Sequence, residues 1–192
     1  MAANHLEQIV AEWYEYQGYF IRRNVKVGRR SQGGYEGELD IVAFRPDPPH
    51  LVHIETSLDA HAWERREQRF MKKFELGRRF IPSLFAGLQL PSEIESIAIL
   101  LFAAKVGGRD TIGGGRLVLV PELLEEILTA LAPLRIDSNM VDEQKPLLRT
   151  RGRFNSSRRI EGNCVTSLIA DTPRAARACA ELCLYSRASF QI

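Results

Sequence analysis

The chain has 192 residues, 45% of them hydrophobic and 26% charged, which suits a globular protein with room for one domain and an appendage and sets aside a disordered or fibrous class. No apolar run approaches the roughly 20 residues of a membrane span, and the start Met1-Ala2-Ala3-Asn4-His5-Leu6-Glu7 lacks the basic opening and apolar stretch of a signal peptide, so a cytoplasmic protein without membrane attachment is expected. The net charge of +2 hides an asymmetry, because residues 145–192 hold nine Lys/Arg and three acids, a net +6 that leaves −4 for the first 144 residues.

Residues 4–17 predict a helix: Leu6, Ile9, Val10, Trp13 and Tyr14 recur at offsets of three and four, and Asn4 is a fitting N-cap with Glu7 three residues on. Gly18 ends it. A strand follows over 19–27, then a basic glycine-containing loop over 28–36 with Arg29 and Arg30. Strands over 38–44 and 51–56 are separated by Pro46, Pro48 and Pro49, which reads as a turn joining an antiparallel hairpin. A long helix is expected over 59–81, with Trp63, Phe70, Phe74, Gly77 and Ile81 as its buried stripe and a densely charged remainder. The apolar run Ser96–Ala104 suits a strand covered on both faces. Residues 107–115 read as a glycine-rich loop, 116–120 as a short strand, and Pro121 as the first residue of a helix running to Leu131.

The order α-β-β-β-α-β-β-α predicts an α/β (α+β) domain, a central mixed β-sheet flanked by helices, over residues 1–135. Residues 136–192 form a basic C-terminal extension, poorly ordered by composition, with one helix-favouring stretch over 173–185. Its basic charge suits either a polyanion partner or a solvated tail. All three cysteines, Cys164, Cys179 and Cys183, lie there, an odd count that argues against a disulfide framework.

The chemistry-bearing residues are Gly37-Glu38-Leu39-Asp40 and Ile54-Glu55-Thr56-Ser57. Glu38 and Asp40 share one face of their strand. Asp40 and Glu55 are carboxylates with apolar flanks on adjacent strands, where acids are depleted and costly to bury unless paired or metal-bound. A hard divalent ion such as Mg²⁺ (or Mn²⁺) held by Asp40 and Glu55 is one explanation. Such a site suits phosphodiester hydrolysis, usually with a lysine near the phosphate.

With these motifs on the page, the chain resembles the PD-(D/E)XK nuclease superfamily, in its Holliday-junction-resolvase-like and YraN-type branch. Glu7 sits eleven residues before Gly18; Arg23-Asn24-Val25, Gly37-Glu38-Leu39-Asp40 and Ile54-Glu55-Thr56-Ser57 follow in the family's order, across about residues 5–131. The resemblance implies a restriction-endonuclease-like fold and a metal-dependent endonuclease in which Asp40 and Glu55 hold the metal and Glu7 assists. The departure is Ser57, where the family pattern has lysine. Some members carry that lysine on the next helix, which offers Lys72 and Lys73. Lys72 is about 200° around the helix from Phe70 and Lys73 about 60°, so Lys73, on the edge shared with Arg66 and Arg69, is the expected substitute.

Bland readings stand beside these. Glu7 also fits a capping role, Glu38 a solvent-facing or supporting one, and Lys73 a solvated lysine whose stem lies on the helix. His53 and His61 are read as core or surface histidines. The expected partner is nucleic acid, DNA first, met by Arg29, Arg30, Arg65, Arg66, Arg69 and Lys72; a second copy of the chain is a further candidate partner. The rival function is a catalytically degenerate binding or assembly module, which Ser57 favours; a third is an unrelated α/β protein with accidental strand acids.

Overall fold

The structure is a computed structural model that describes residues 4–102, 108–132 and 141–149, all inside the unit Met1–Arg153. Its elements are α1 (His5–Tyr16), β1 (Phe20–Arg29), β2 (Tyr35–Pro46), β3 (Pro49–Ser57), α2 (Trp63–Leu84), β4 (Glu95–Leu100), β5 (Thr111–Ile112), β6 (Gly115–Leu119) and α3 (Val120–Leu131). The strands make one six-stranded mixed sheet in the order β1-β2-β3-β4-β6-β5. β1, β2 and β3 form an antiparallel meander, β3, β4 and β6 run parallel, and β5 returns antiparallel to β6. A parallel β3–β4 pair needs a crossover, and α2 supplies it. This is the mixed sheet flanked by helices that the element order predicts.

Helix α1 starts where expected. Asn4 Oδ1 accepts from the Leu6 and Glu7 amides at 3.2 and 3.5 Å, and Leu6, Val10 and Trp13 are buried. Helix α2 carries the long apolar stripe. Phe70 and Phe74 pack with Ala98, Leu100, Ile112 and Leu117, while Ile81 packs with Val42, Phe44 and Leu51. One helix thus closes two core clusters, each fully buried large side chain contributing about 2 kcal/mol of transfer free energy. Trp63 at its start is only half-buried, flanked by the guanidinium groups of Arg66 and Arg109 at 5.9 and 4.9 Å from its ring.

Several boundaries differ from expectation, each for a local reason. Helix α2 begins at Trp63 rather than 59 because Asp59 folds the preceding residues back: its backbone amide donates to Ser57 Oγ at 3.3 Å and its Oδ1 accepts the His61 amide at 3.2 Å. The basic loop shrinks to residues 30–34, since β1 and β2 continue to Arg29 and from Tyr35 and are closed by Arg30 N–H to the Gly34 carbonyl at 3.1 Å. The glycine-rich loop contains β5. Gly113 and Gly114, both at positive φ (59° and 78°), make a two-residue hairpin turn between Ile112 and Gly115. A side chain at Gly113 would meet the Met71 backbone nitrogen at 2.4 Å, so the turn packs directly on α2.

The sheet domain also extends past the composition break near 135. Residues 146–149 form one helical turn whose Leu147 and Leu148 amides donate to the buried Glu12 carboxylate at 2.9 and 3.1 Å, and Leu148 is itself buried. The helix expected over 173–185, the cysteines and the basic tail beyond Arg149 lie outside the described residues. Among the described residues no helix is long and apolar enough to cross a membrane.

Candidate active site

Strand alternation turns His53, Glu55 and Ser57 toward α2. Two strand residues rise about 6.7 Å and four helix residues about 6 Å, so alternate strand positions can each meet a helix residue one turn further on. They do so in opposite directions along the two elements: Ser57 meets Arg69, Glu55 meets Lys73 and His53 meets Gly77.

At the centre, the Lys73 ammonium lies 2.8 Å from Asp40 Oδ1 and 2.5 Å from Glu55 Oε2. The outer oxygens are held by the protein. Asp40 Oδ2 accepts the Thr56 amide at 2.9 Å and its hydroxyl at 3.3 Å. Glu55 Oε1 is 2.8 Å from His53 Nε2 and accepts the Asp40 amide at 3.3 Å. One oxygen of each carboxylate therefore faces a shared cation. The Glu55 side chain is 1% exposed, Asp40 15% and Lys73 30%, so the cluster is buried at one end and open to water at the other.

Burial pushes the Glu55 carboxyl above the ordinary range, as does the Asp40 charge, against the hydrogen bond from His53 and the charge of Lys73. Burial opposes the charge on Lys73, but the Glu55 and Asp40 carboxylates outweigh it and its pKa is raised. Glu7, from α1, belongs to the same electrostatic group. Its pKa is raised by burial first and by the Asp40 charge, against a hydrogen bond from Asn4 Nδ2 at 2.5 Å and the Lys73 charge. Glu7 thus serves the helix cap and also sits within the field of the cluster.

The structure brings Asp40, Glu55 and Lys73 into direct contact, with Glu7 within reach of the Asp40 and Lys73 charges. Lys72 is exposed, as its helical angle predicts. Glu38 is exposed, paired in register with Lys26, and its charge acts on Glu7. Arg29, Arg30 and Arg65 are exposed. Arg66 is a correction. It is 8% exposed rather than on an open face, and its Nη1 donates to the Phe102 carbonyl at 2.5 Å, which ties α2 to the segment after β4.

Ser57, in place of a lysine, is part of a clasp. Its hydroxyl donates to Asp59 Oδ2 at 2.7 Å and accepts from Arg69 Nη2 at 2.9 Å, while Arg69 Nη1 pairs with Asp59 Oδ2. Arg69 is therefore half-committed to this clasp. Burial would raise the Asp59 pKa, but hydrogen bonds from Ser57, Arg69 and the His61 amide outweigh it and bring it to about 2. A depressed carboxyl contributes stability that is present above its ordinary value of 3.8 and lost as pH falls through about 2. Asp59→Asn is expected to be less stable than wild type at pH 5, with the gap closing between about pH 4 and pH 2; urea midpoints across that range check it.

Two residues to which the sequence assigns no task at the site border the cluster: His53, read only as a core or surface histidine, and Asn24, quoted only within the Arg23-Asn24-Val25 motif. His53 is described below. Asn24 is a non-glycine residue at φ 52°, and it interrupts the β1–β2 ladder between the Arg23–Ile41 and Val25–Leu39 pairs, at the register position of Asp40. It lines a cleft of about 480 Å³ together with Asn4, Glu7, Gln8 and Arg23. The cleft places an arginine and three amide side chains beside the acidic group.

Among the described residues no three His, Cys, Asp or Glu side chains gather into a ligand cluster. The donor set suits a hard divalent ion, because Asp40 Oδ1 and Glu55 Oε2 already converge on one cation. Such an ion tolerates two protein carboxylates and water in its other positions.

No protein-family model matches the chain, and no curated protein matches it. A solved structure, that of a protein of unknown function designated AF1548, is similar over 94% of this chain and 96% of its own, with 17% sequence identity and a TM-score of 0.41.

Proposed function

We propose that this chain is a metal-dependent nuclease of the PD-(D/E)XK kind that hydrolyses phosphodiester bonds, in DNA first. The observation that carries the reading is the Lys73 ammonium, 2.8 and 2.5 Å from the Asp40 and Glu55 carboxylates. It supports the view that the lysine missing from position 57 is supplied by α2, from a residue that meets Glu55.

Asp40 and Glu55 would hold Mg²⁺ or Mn²⁺. Such an ion polarises a phosphoryl oxygen and lowers the pKa of a water bound to it. The chain's own groups do the rest. Lys73 supplies a positive charge where negative charge develops on the phosphoryl oxygens. Glu7 adds a third acid whose charge is coupled to Asp40 and Lys73. Arg29 and Arg30 on the β1–β2 turn and Arg65 and Lys72 on α2 give sequence-independent contacts to phosphates.

One observation favours the degenerate binding module. Lys73 already gives each carboxylate a cationic partner, so neither acid is left unpaired without a metal. A cleavage panel of plasmid, linear, branched and single-stranded DNA with Mg²⁺ or Mn²⁺ separates the two. The nuclease reading predicts metal-dependent cleavage lost in Asp40→Ala and in Glu55→Ala. Salt-sensitive DNA binding with no cleavage of any substrate establishes the binding module instead.

A further inference from the structure

His53 is a fully buried histidine that the reaction outlined above leaves without a task. Its ring stands edge-on to Phe74, with centroids 5.4 Å apart and planes at 88°. Nε2 lies 2.8 Å from Glu55 Oε1, and Nδ1 is buried with no hydrogen-bond partner among the described residues. Gly77 accounts for the empty side. A Cβ there would lie 2.2 Å from His53 Nδ1 and 2.5 Å from Cε1, so the α2 backbone passes against that nitrogen and leaves no room for an acceptor.

This arrangement selects the tautomer. A proton on Nδ1 would be a buried donor with nothing to receive it, and would leave the Nε2 lone pair facing a carboxylate oxygen. A proton on Nε2 is received by a carboxylate oxygen. The imidazole therefore donates to Glu55 Oε1, which also takes the Asp40 amide at 3.3 Å. With two N–H groups on Oε1, the carboxylate cannot rotate without breaking both, and Oε2 stays turned toward Asp40 Oδ1 and the cation between them.

We propose that His53 is a positioning residue for the Asp40–Glu55 site: its Nε2–H fixes the Glu55 carboxylate so that Oε2 is presented to a divalent cation, and Gly77 makes the space that holds the ring in place. This rests on the nuclease reading and deepens it, because it names the group that sets the metal-facing oxygen. His53 touches neither metal nor substrate. It acts through Glu55, as hydrogen-bonding partners of metal ligands do elsewhere, where their loss weakens metal binding or activity by about 10–100-fold.

The test uses the full chain as wild type, His53→Gln and His53→Leu. Glutamine carries an amide N–H at nearly the reach of Nε2, whereas leucine fills space and donates nothing. Mg²⁺ affinity is read by calorimetry, and cleavage is read as its Mg²⁺ dependence separately from its rate at saturating Mg²⁺. His53→Leu is expected to weaken Mg²⁺ binding about tenfold or more, with His53→Gln recovering most of the loss. Nitrogen-15 spectra of the wild-type imidazole are expected to show Nε2 protonated and Nδ1 bare, a readout that needs neither a folded variant nor a metal. A folded His53→Leu with wild-type Mg²⁺ affinity, or a wild type protonated on Nδ1, overturns the proposal and leaves the nuclease reading standing. A wild type that neither binds Mg²⁺ nor cleaves DNA overturns both.

Discussion

Lys73→Met is expected to lose cleavage by about 10²–10³-fold and to lose about 2–3 kcal/mol of stability at neutral pH. Both effects come from one ammonium. It is the cation that faces both Asp40 Oδ1 and Glu55 Oε2, and methionine keeps most of its volume without its charge. Two carboxylates are then left facing each other, one of them 1% exposed. The stability loss lies below the upper range for broken buried pairs because Lys73 and Asp40 retain some contact with water.

The pH dependence has a definite sign. The folded Glu55 pKa is already above 4.5 and rises further without Lys73, so the variant takes up a proton more readily when folded than when unfolded. Its deficit is greatest at neutral pH and shrinks as pH falls toward 4.5. The Lys73 contribution in wild type is present below 10.5 and lost as pH rises through its raised value. Added Mg²⁺ is expected to raise the melting temperature of Lys73→Met more than that of wild type, because the ion no longer competes with an ammonium. Urea and thermal melts from pH 5 to 8, with and without Mg²⁺, check all three statements.

Gly77→Ala is expected to destabilise the fold by about 2 kcal/mol, the reverse of the usual result. Replacing a mid-helix glycine by alanine ordinarily gains about 1 kcal/mol from helix propensity. Here the new methyl meets His53 at 2.2 Å from Nδ1, 2.5 Å from Cε1 and 3.1 Å from Cγ. Either the ring moves, which breaks the bond to Glu55 Oε1, or α2 lifts from β3 and loosens the Phe74 and Ile81 packing with it. Equilibrium urea unfolding measures the change, and an alanine variant as stable as wild type would contradict this close approach of helix and strand.

The Asp40–Glu55 pair was legible because strand alternation is a local property and carboxylates stand out among Leu39, Ile41, Val52 and Ile54. Lys73 was legible because helical angles are also local: about 60° from Phe70 puts it on the edge of the buried stripe. The same angle does not fix the surroundings of Arg66. Seven residues is nearly two turns, so Arg66 and Lys73 share an edge, but Lys73 meets a carboxylate of β3 whereas Arg66 reaches beyond the strand end to the Phe102 carbonyl. What lies across an edge depends on where the facing strand stops, and no residue of α2 carries that information.

The task of His53 was hidden for a related reason. It needs Gly77, 24 positions away, to leave a space, and a glycine inside a helix pattern signals nothing about its neighbour. The docking of Leu147 and Leu148 on Glu12 is likewise a contact between distant segments. The missed strand β5 was different, since Gly113-Gly114 is a hairpin signal within the sequence. The strand itself is not legible because only two residues, Thr111 and Ile112, precede the turn, too few to show alternation.

The most direct test of the central claim is single-turnover cleavage of labelled DNA by wild type and Lys73→Met, each with Mg²⁺ and with a chelator. The account predicts cleavage by wild type that needs Mg²⁺ and falls about 10²–10³-fold in Lys73→Met, while salt-sensitive DNA binding persists in both. Equal cleavage by the two proteins would remove Lys73 from the reaction, and no cleavage by wild type on any DNA would contradict the nuclease itself.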